Sequence, residues 1–164
     1  QVVEKAPTMI SQTAEYALRA VVWLASKGDG SLGTLHIAEA TRVPAGYLSK
    51  VLQALARAGL VVSQPGRKGG FTLVRRAEEI SVLDVINAVD PIQRIKTCPL
   101  DLKSHGTHLC PLHRRLDDAM ARAEEAFASS TIAELLAEPT TSTPLCESKT
   151  IALSVGKIEG PKQA

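Results

Sequence analysis

The spacing of apolar residues changes at Gly59, from the repeat of a helix to the repeat of a strand. Four apolar residues before it share one helical face: Leu48, Val51, Leu52 and Leu55. After it, LVVSQ (60–64) and FTLVR (71–75) alternate like short strands, and PGRKGG (65–70) supplies glycines for a turn. A helix that leads directly into a β-hairpin restricts the chain to few architectures.

Two more helices are predicted before this point. SQTAEYALRAVVWLASK has a helical repeat with Ser11 or Thr13 as its cap, and Gly28 ends it. TLHIAEATR forms a shorter helix that must end before Pro44, because the residue preceding proline avoids helical geometry. The residues expected to pack from this short helix are Leu35, Ile37, Ala38 and Ala40, and His36 is expected to be partly buried. The next helix begins at once, which is the outline of a helix-turn-helix.

A helix-turn-helix followed by a hairpin predicts a winged helix. Its second helix can enter the DNA major groove, while the wing approaches the backbone or the minor groove. The residues predicted to bind DNA are Tyr47, Ser49, Lys50, Gln53, Arg67, Lys68, Gly69 and Gly70. The alternative is that PGRKGG is only a solvated hairpin turn.

Composition and charge agree with this interpretation. Apolar residues make up 45% of the 164 residues and aromatic residues 3%, as expected for one mainly helical domain with an arm. Residues 1–76 carry ten Lys and Arg against four Asp and Glu, a net +6, and the remainder carries nine against thirteen, a net −4. Basic charge concentrated in one unit favours binding to a polyanion.

The second half of the chain is predicted to be helical around a cysteine-containing connection. SVLDVINAVD forms a helix behind Ser81, and TIAELLAE forms another near the end. A long helix from Pro111 carries one apolar stripe: Leu112, Leu116, Met120, Ala123 and Phe127. Such a stripe packs on its own domain or on a partner.

The stretch KTCPLDLKSHGTHLCPLHRR (96–115) contains two of the three cysteines and three of the four histidines. Thiolates with imidazoles suit a [2Fe–2S] cluster, and they equally suit zinc. An odd cysteine count without an export signal argues against a disulfide framework. His108 is expected to be solvated, and Cys146 to be an accessible thiol.

The segments AEYALRAVVWLA, IAEATRVPAGYLSKVLQALARAGLVVSQPGRKGGFTLVR and ISVLDVINAVD resemble the Rrf2 family of bacterial transcription regulators, the IscR and NsrR type, over about residues 9–138. The resemblance implies a homodimer that binds palindromic double-stranded DNA, with the long helix as its interface.

The same resemblance implies a sensor in the cysteine connection. Family members that sense iron–sulfur status or nitric oxide hold a cluster by three cysteines there, with a fourth ligand from elsewhere. This chain has Cys98-x6-His105-x4-Cys110-x2-His113, so a histidine stands near the position of the middle cysteine. In some members the acidic residue of the first helix contributes from the partner subunit, and Glu15 occupies that position. The alternatives are a zinc site, or Cys98 and Cys110 as a thiol pair without a metal.

The expected fold is therefore mainly α with a small β-hairpin wing: a winged helix-turn-helix domain plus a long dimerisation helix. Its parts are a DNA-binding domain (9–90), a Cys/His sensor loop (91–110), the dimerisation helix with a short following helix (111–138) and a flexible tail (139–164). Residues 1–8 are given no structural role.

Other function classes fit the sequence poorly. An enzyme is not expected, because the chain has no paired carboxylates, nucleophile motif or phosphate-binding loop. A pure protein-interaction module would leave the basic wing unexplained. No apolar stretch approaches the length of a membrane span and no signal peptide is evident, so we expect a cytoplasmic regulator that does not bind membranes.

Overall fold

The structure, a computed structural model, describes residues 9–28, 30–66, 69–105, 108–140, 142 and 144–145, with only the backbone of His105. The helices are α1 (Gln12–Lys27), α2 (Thr34–Thr41), α3 (Ala45–Arg57), α4 (Val82–Val89), α5 (Pro111–Ala128) and α6 (Ile132–Ala137). The strands are β1 (Val61–Gln64) and β2 (Gly70–Leu73), and short 3-10 turns span Ala77–Glu79 and Lys103–His105. A mainly α fold with one hairpin confirms the expected class.

The first helix forms the centre of the core. Ser11 caps α1 by accepting a hydrogen bond from the Ala14 amide at 3.1 Å, and Gly28 ends the helix with a positive φ of 69°. Small and branched side chains of α1, such as Ala17 and Val21, are fully buried. They pack against α2, α3, the first strand and Ile132 of α6.

The short second helix corrects two expectations. Leu35 is 76% exposed and His36 is also exposed, although the sequence predicted that Leu35 packs and His36 is partly buried. The buried residues of α2 are Ile37, Ala38 and Thr41, which share the inward face of a helix with only two turns. Leu35 is two residues before Ile37 and therefore points away from the core.

The wing is held by close backbone contacts. Strands β1 and β2 are antiparallel, with Val61 opposite Leu73 and Gln64 opposite Gly70. Leu32 adds a bridge to Phe71, through amide-to-carbonyl hydrogen bonds of 3.1 and 2.8 Å. A Cβ on Gly70 would lie 2.3 Å from the Leu32 carbonyl carbon and oxygen, so only glycine fits there.

The short helices α4 and α6 belong to the body of the protein, which is formed by α1 to α4, the β-hairpin and α6 around one core. The Ser81 and Asp84 side chains form reciprocal caps at the start of α4, and Thr131 with Glu134 does the same for α6. Ser81 and Thr131 are joined by an isolated β-bridge. Beyond α6, Leu145 packs on the core. Within the described part of the chain, no helix is long and apolar enough to cross a membrane.

Candidate functional site

The outward face of α3 carries the side chains predicted to read DNA. Tyr47 is 41% exposed, and Lys50 and Gln53 are exposed. Ser49 is half-buried and donates a hydrogen bond to the Ala45 carbonyl oxygen at 3.0 Å. Three of the four side chains are thus open to a ligand.

Tyr47 is braced against the first helix. Its hydroxyl is 2.5 Å from the Thr13 hydroxyl, and its ring meets the Tyr16 ring edge-on, with centroids 5.5 Å apart and an interplanar angle of 83°. The Arg19 guanidinium lies 5.6 Å from the centre of the Tyr16 ring. These contacts fix the start of α3 relative to α1.

Glu15 lies on α1 and pairs with Arg19, the residue that contacts the Tyr16 ring. Its Oε1 atom accepts hydrogen bonds from Nε and NH2 of Arg19, both at 2.7 Å. Arg19 also donates from NH1 to the Thr41 carbonyl oxygen at 3.1 Å, which connects α1 to the end of α2. The other oxygen, Oε2, is buried and has no hydrogen-bond partner among the described residues.

The wing tip is described only in part. Arg67 and Lys68, both predicted to contact DNA, lie outside the described residues. Gly69 and Gly70 are described, and both have a structural role in addition to the predicted one. A Cβ on Gly69 would lie 2.3 Å from the Gln64 carbonyl oxygen, so Gly69 allows the hairpin to close, whereas Gly70 allows the close approach of Leu32.

The two loop cysteines are half-buried thiols, and neither forms a disulfide. Each stands before a Pro-Leu pair, and each backbone carbonyl opens a turn: Cys98 accepts from the Asp101 amide at 3.0 Å, and Cys110 accepts from Arg114 at 2.9 Å. Cys110 is the residue before α5, and its Sγ atom lies 3.4 Å from Nδ1 of His113.

The described side chains of this chain do not by themselves fit a complete cluster site. A [2Fe–2S] cluster takes four protein ligands. Among the side chains that the structure describes, no three His, Cys, Asp or Glu are grouped so that they could hold a metal ion. Cys110 and His113 form a close pair, while Cys146 and the His105 side chain fall outside the described atoms.

An ion-pair cluster that the sequence did not reveal attaches the beginning of the loop to α5. Arg94 donates from Nε and NH2 to the two carboxylate oxygens of Asp117, each at 2.7 Å, and from NH1 to Glu124 at 2.9 Å. The Ile95 amide donates to Asp117 at 2.9 Å. The side chains of Arg94, Asp117 and Glu124 are called the Arg94 clamp. Asp117 and Glu124 lie two turns apart on one face, a spacing too common to have indicated a partner.

The electrostatics of the clamp follow from these contacts. The hydrogen bonds from Arg94 lower the pKa of Asp117, with a further lowering by the Ile95 amide. The same bonds to Asp117, followed by those to Glu124, raise the pKa of Arg94. The side chain of Asp117 is only 17% exposed. The cluster is thus a forked, charge-assisted attachment rather than a single solvated pair.

The apolar stripe of α5 faces a groove. No residue of α5 is buried, and Leu112 and Leu116 are 63% and 45% exposed. The groove has a volume of about 480 Å³. Its apolar lining comprises Met9, Ile10, Ile86, Pro91 and Ile92 on one side and, from α5, Leu116, Ala119, Met120, Ala123 and Phe127 on the other.

Comparison with known proteins identifies a family that matches most of this chain. The model of the Rrf2 family, described as iron-dependent transcriptional regulators, matches residues 10–138. A protein of Aquifex aeolicus (strain VF5), provisionally named an HTH-type transcriptional regulator, is 27% identical over 131 residues, which are 78% of this chain and 91% of that protein.

Solved structures are similar over the same region. Staphylococcus aureus CymR is 30% identical with a TM-score of 0.63, over 80% of this chain and all of that one. T. potens IscR is 25% identical with a TM-score of 0.65, over 79% of this chain and 86% of that one. These relatives are regulators of transcription, not enzymes. From the extent of the family match and the shared winged-helix fold, the chain belongs to the Rrf2 family of transcriptional regulators.

Proposed function

We propose that the protein is a homodimeric regulator that binds a palindromic operator in double-stranded DNA and acts in the cytoplasm. The observation that carries DNA reading is the exposed face of α3, whose Tyr47 is held against Thr13 and Tyr16. A recognition residue that is already held in one orientation loses less conformational entropy on binding. Tyr47, Ser49, Lys50 and Gln53 would meet base edges, and the wing around Arg67 to Gly70 would meet phosphates.

The dimer is supported by α5. Eighteen residues without one buried side chain do not define a stable position for a helix, and the exposed leucines favour a partner. A second copy is the partner that matches a palindrome, because both have two-fold symmetry. Its interface would use the stripe: Leu112, Leu116, Met120, Ala123 and Phe127.

The loop is proposed to report iron–sulfur, redox or nitric oxide status through Cys98 and Cys110. A cluster would supply an iron centre that can be oxidised or nitrosylated, and the two thiolates would be assisted by His105 or His113, with Glu15 of the partner subunit as the fourth ligand. The family description as iron-dependent supports this reading. A second candidate is a thiol pair or zinc site without a cluster. It is favoured by the contact between Cys110 Sγ and His113 Nδ1, since no group of three ligands is found among the described side chains.

DNA binding by the wing is tested by salt dependence. Replacing Arg67 and Lys68 with alanine should weaken binding to all DNA sequences. The slope of the logarithm of the association constant against the logarithm of salt concentration is negative, and its magnitude should fall by about 0.9 for each lost phosphate contact. The matched control is Arg114→Ala with Arg122→Ala, which removes the same charge from α5. An unchanged slope in the wing variant would remove the wing from the interface.

Sensing is tested by comparing wild type, Cys98→Ala and Cys110→Ala under anaerobic conditions with iron and sulfide supplied. The control is Cys146→Ala, which removes the thiol outside the loop. We expect both loop variants to lose bound iron and the response of operator affinity to oxidation, while the control keeps them. Thiol-dependent regulation without iron in wild type would select the second candidate. Equal iron content and equal, redox-insensitive affinity in every protein would eliminate sensing by the loop.

A further inference from the structure

The Arg94 clamp stands where the sensor loop meets the long helix. Arg94 is four residues before Cys98, and Asp117 is seven residues after Cys110. The chain therefore leaves the clamp, passes both thiols and returns along α5 to the same clamp. The clamp thus joins the two ends of the segment that carries both thiols.

The clamp is also close to the DNA-binding body. Helix α4 ends at Val89, and residues 90–93 connect it to Arg94 while lining the groove beside α5. The body side of α5 has contacts with α4 and shares the small apolar cluster through Phe127. A shift of α5 is thus a shift relative to the body that carries α3.

The fork geometry makes the attachment directional. Two parallel hydrogen bonds to Asp117 fix the plane of the guanidinium, and the third bond to Glu124 extends the attachment over two turns of α5. The backbone joins in through Ile95, so the chain itself, and not only a side chain, is held to the helix. A lysine at this position has the charge but lacks the planar fork.

We propose that Arg94 is a positioning residue that couples the state of Cys98 and Cys110 to DNA affinity. Arg94 holds the beginning of the loop on α5. A change at the thiols therefore moves α5 against the body and alters the distance between the α3 helices of the two copies in the dimer. Half-site spacing is a geometric requirement for tight binding to a palindrome. The inference rests on the proposed function. It assigns the transmission of the signal from the thiols to the DNA-binding helices to Arg94, Asp117 and Glu124, none of which is a proposed ligand.

The test measures a coupling factor, the ratio of operator dissociation constants before and after the loop thiols are alkylated. The operator is first selected from random DNA with wild-type protein, and all proteins carry Cys146→Ala so that iodoacetamide modifies only Cys98 and Cys110. Each thiolate displaces iodide and forms a carbon–sulfur bond, and its proton passes to the buffer. The variants are Arg94→Ala, Arg94→Lys and the control Arg122→Ala, which removes one positive charge from α5 outside the clamp.

Allosteric coupling usually changes affinity about 5- to 150-fold, and we expect wild type and Arg122→Ala to fall in that range. Arg94→Ala should bind its operator when unmodified but respond to alkylation by less than about twofold, and Arg94→Lys should be intermediate. A wild-type factor in Arg94→Ala, even with a lowered melting temperature, would overturn the inference and leave the clamp as structure.

Failure of the proposed function gives a different result. A factor of one in wild type would reject sensing by the loop, and transmission through Arg94 with it. Amide hydrogen exchange at Ile95 then shows whether the clamp exists: faster exchange in Arg94→Ala than in wild type means that the clamp forms and only stabilises the arm.

Discussion

The winged-helix body and the arm formed by residues 91–128 are stabilised in different ways. Among the described residues, every fully buried apolar side chain lies between Ala14 and Ile86, except Ile132 of α6. The arm has no buried residue in α5, and it meets the body along an apolar groove and through Phe127, while the Arg94 clamp joins two parts of the arm itself. The body has its own hydrophobic core, whereas the arm is held together by polar contacts and leaves Leu112 and Leu116 of its stripe exposed.

This difference agrees with the division of tasks in the proposed function. A packed core keeps the reading helix and the wing in a constant arrangement, because tightly packed interiors do not deform continuously. An arm with little buried surface can take different positions at low cost, which is what a responsive element needs. The functional proposal follows this division, with DNA reading in the body and dimerisation and sensing in the arm.

The largest expected effect is a cavity in the body. Leu55 is fully buried, so Leu55→Ala should lower the free energy of unfolding by about 2–5 kcal/mol. The matched change in the arm, Leu112→Ala, should alter it by no more than about 0.5 kcal/mol at protein concentrations where the chain is monomeric. Urea unfolding of both variants measures the contrast. Equal losses would mean that the arm shares the core.

The next effect concerns the wing. Gly70→Ala places a methyl group 2.3 Å from the backbone of Leu32, and we expect a loss of about 1–3 kcal/mol together with weaker DNA binding, since the hairpin must shift. Gly30→Ala is the control, because its Cβ would meet no atom within 4 Å. Thermal unfolding and a gel-shift titration check both. A wild-type melting temperature for Gly70→Ala would contradict the close approach of Leu32 to the wing.

The smallest effect is the response of the arm to acid. The pKa of Asp117 is lowered in the folded state, so its contribution to stability is complete above its unfolded pKa of about 3.9 and is lost as pH falls through the lower folded value. Asp117→Asn removes this contribution. The free energy of unfolding of the variant should therefore fall less than that of wild type as pH drops below about 4. Asp118→Asn, one residue along α5, is the control. Parallel pH curves for wild type and Asp117→Asn would show that the clamp does not form in solution.

The sequence predicted the body well because its elements depend on local patterns. The helical repeats, the Ser11 cap and the change of period at Gly59 lie within one residue or two of the observed boundaries. The Leu32 bridge and the exposure of Leu35 were not anticipated. Both depend on how distant segments meet, and a periodicity in one segment carries no information on that.

The candidate site was predictable in part for the same reason. Residues on the outer face of α3 follow from the helical repeat, although their contacts with DNA stay predictions. Arg94 gave no signal, since one arginine in a loop looks like ordinary surface charge until Asp117 is found beside it. Glu15 is the reverse case: family resemblance suggested a ligand, and in this chain its Oε1 is hydrogen-bonded to Arg19.

The claim that α5 is completed by a second copy is tested most directly by sedimentation equilibrium. Wild type and the control Arg114→Asp, which changes the net charge by the same two units on the opposite face of α5, should sediment at twice the chain mass. Leu116→Asp with Met120→Asp places like charges on the apolar stripe and should sediment as a folded monomer with weak operator binding. A dimer in the double variant, with unchanged operator affinity, would contradict the account and place the interface elsewhere.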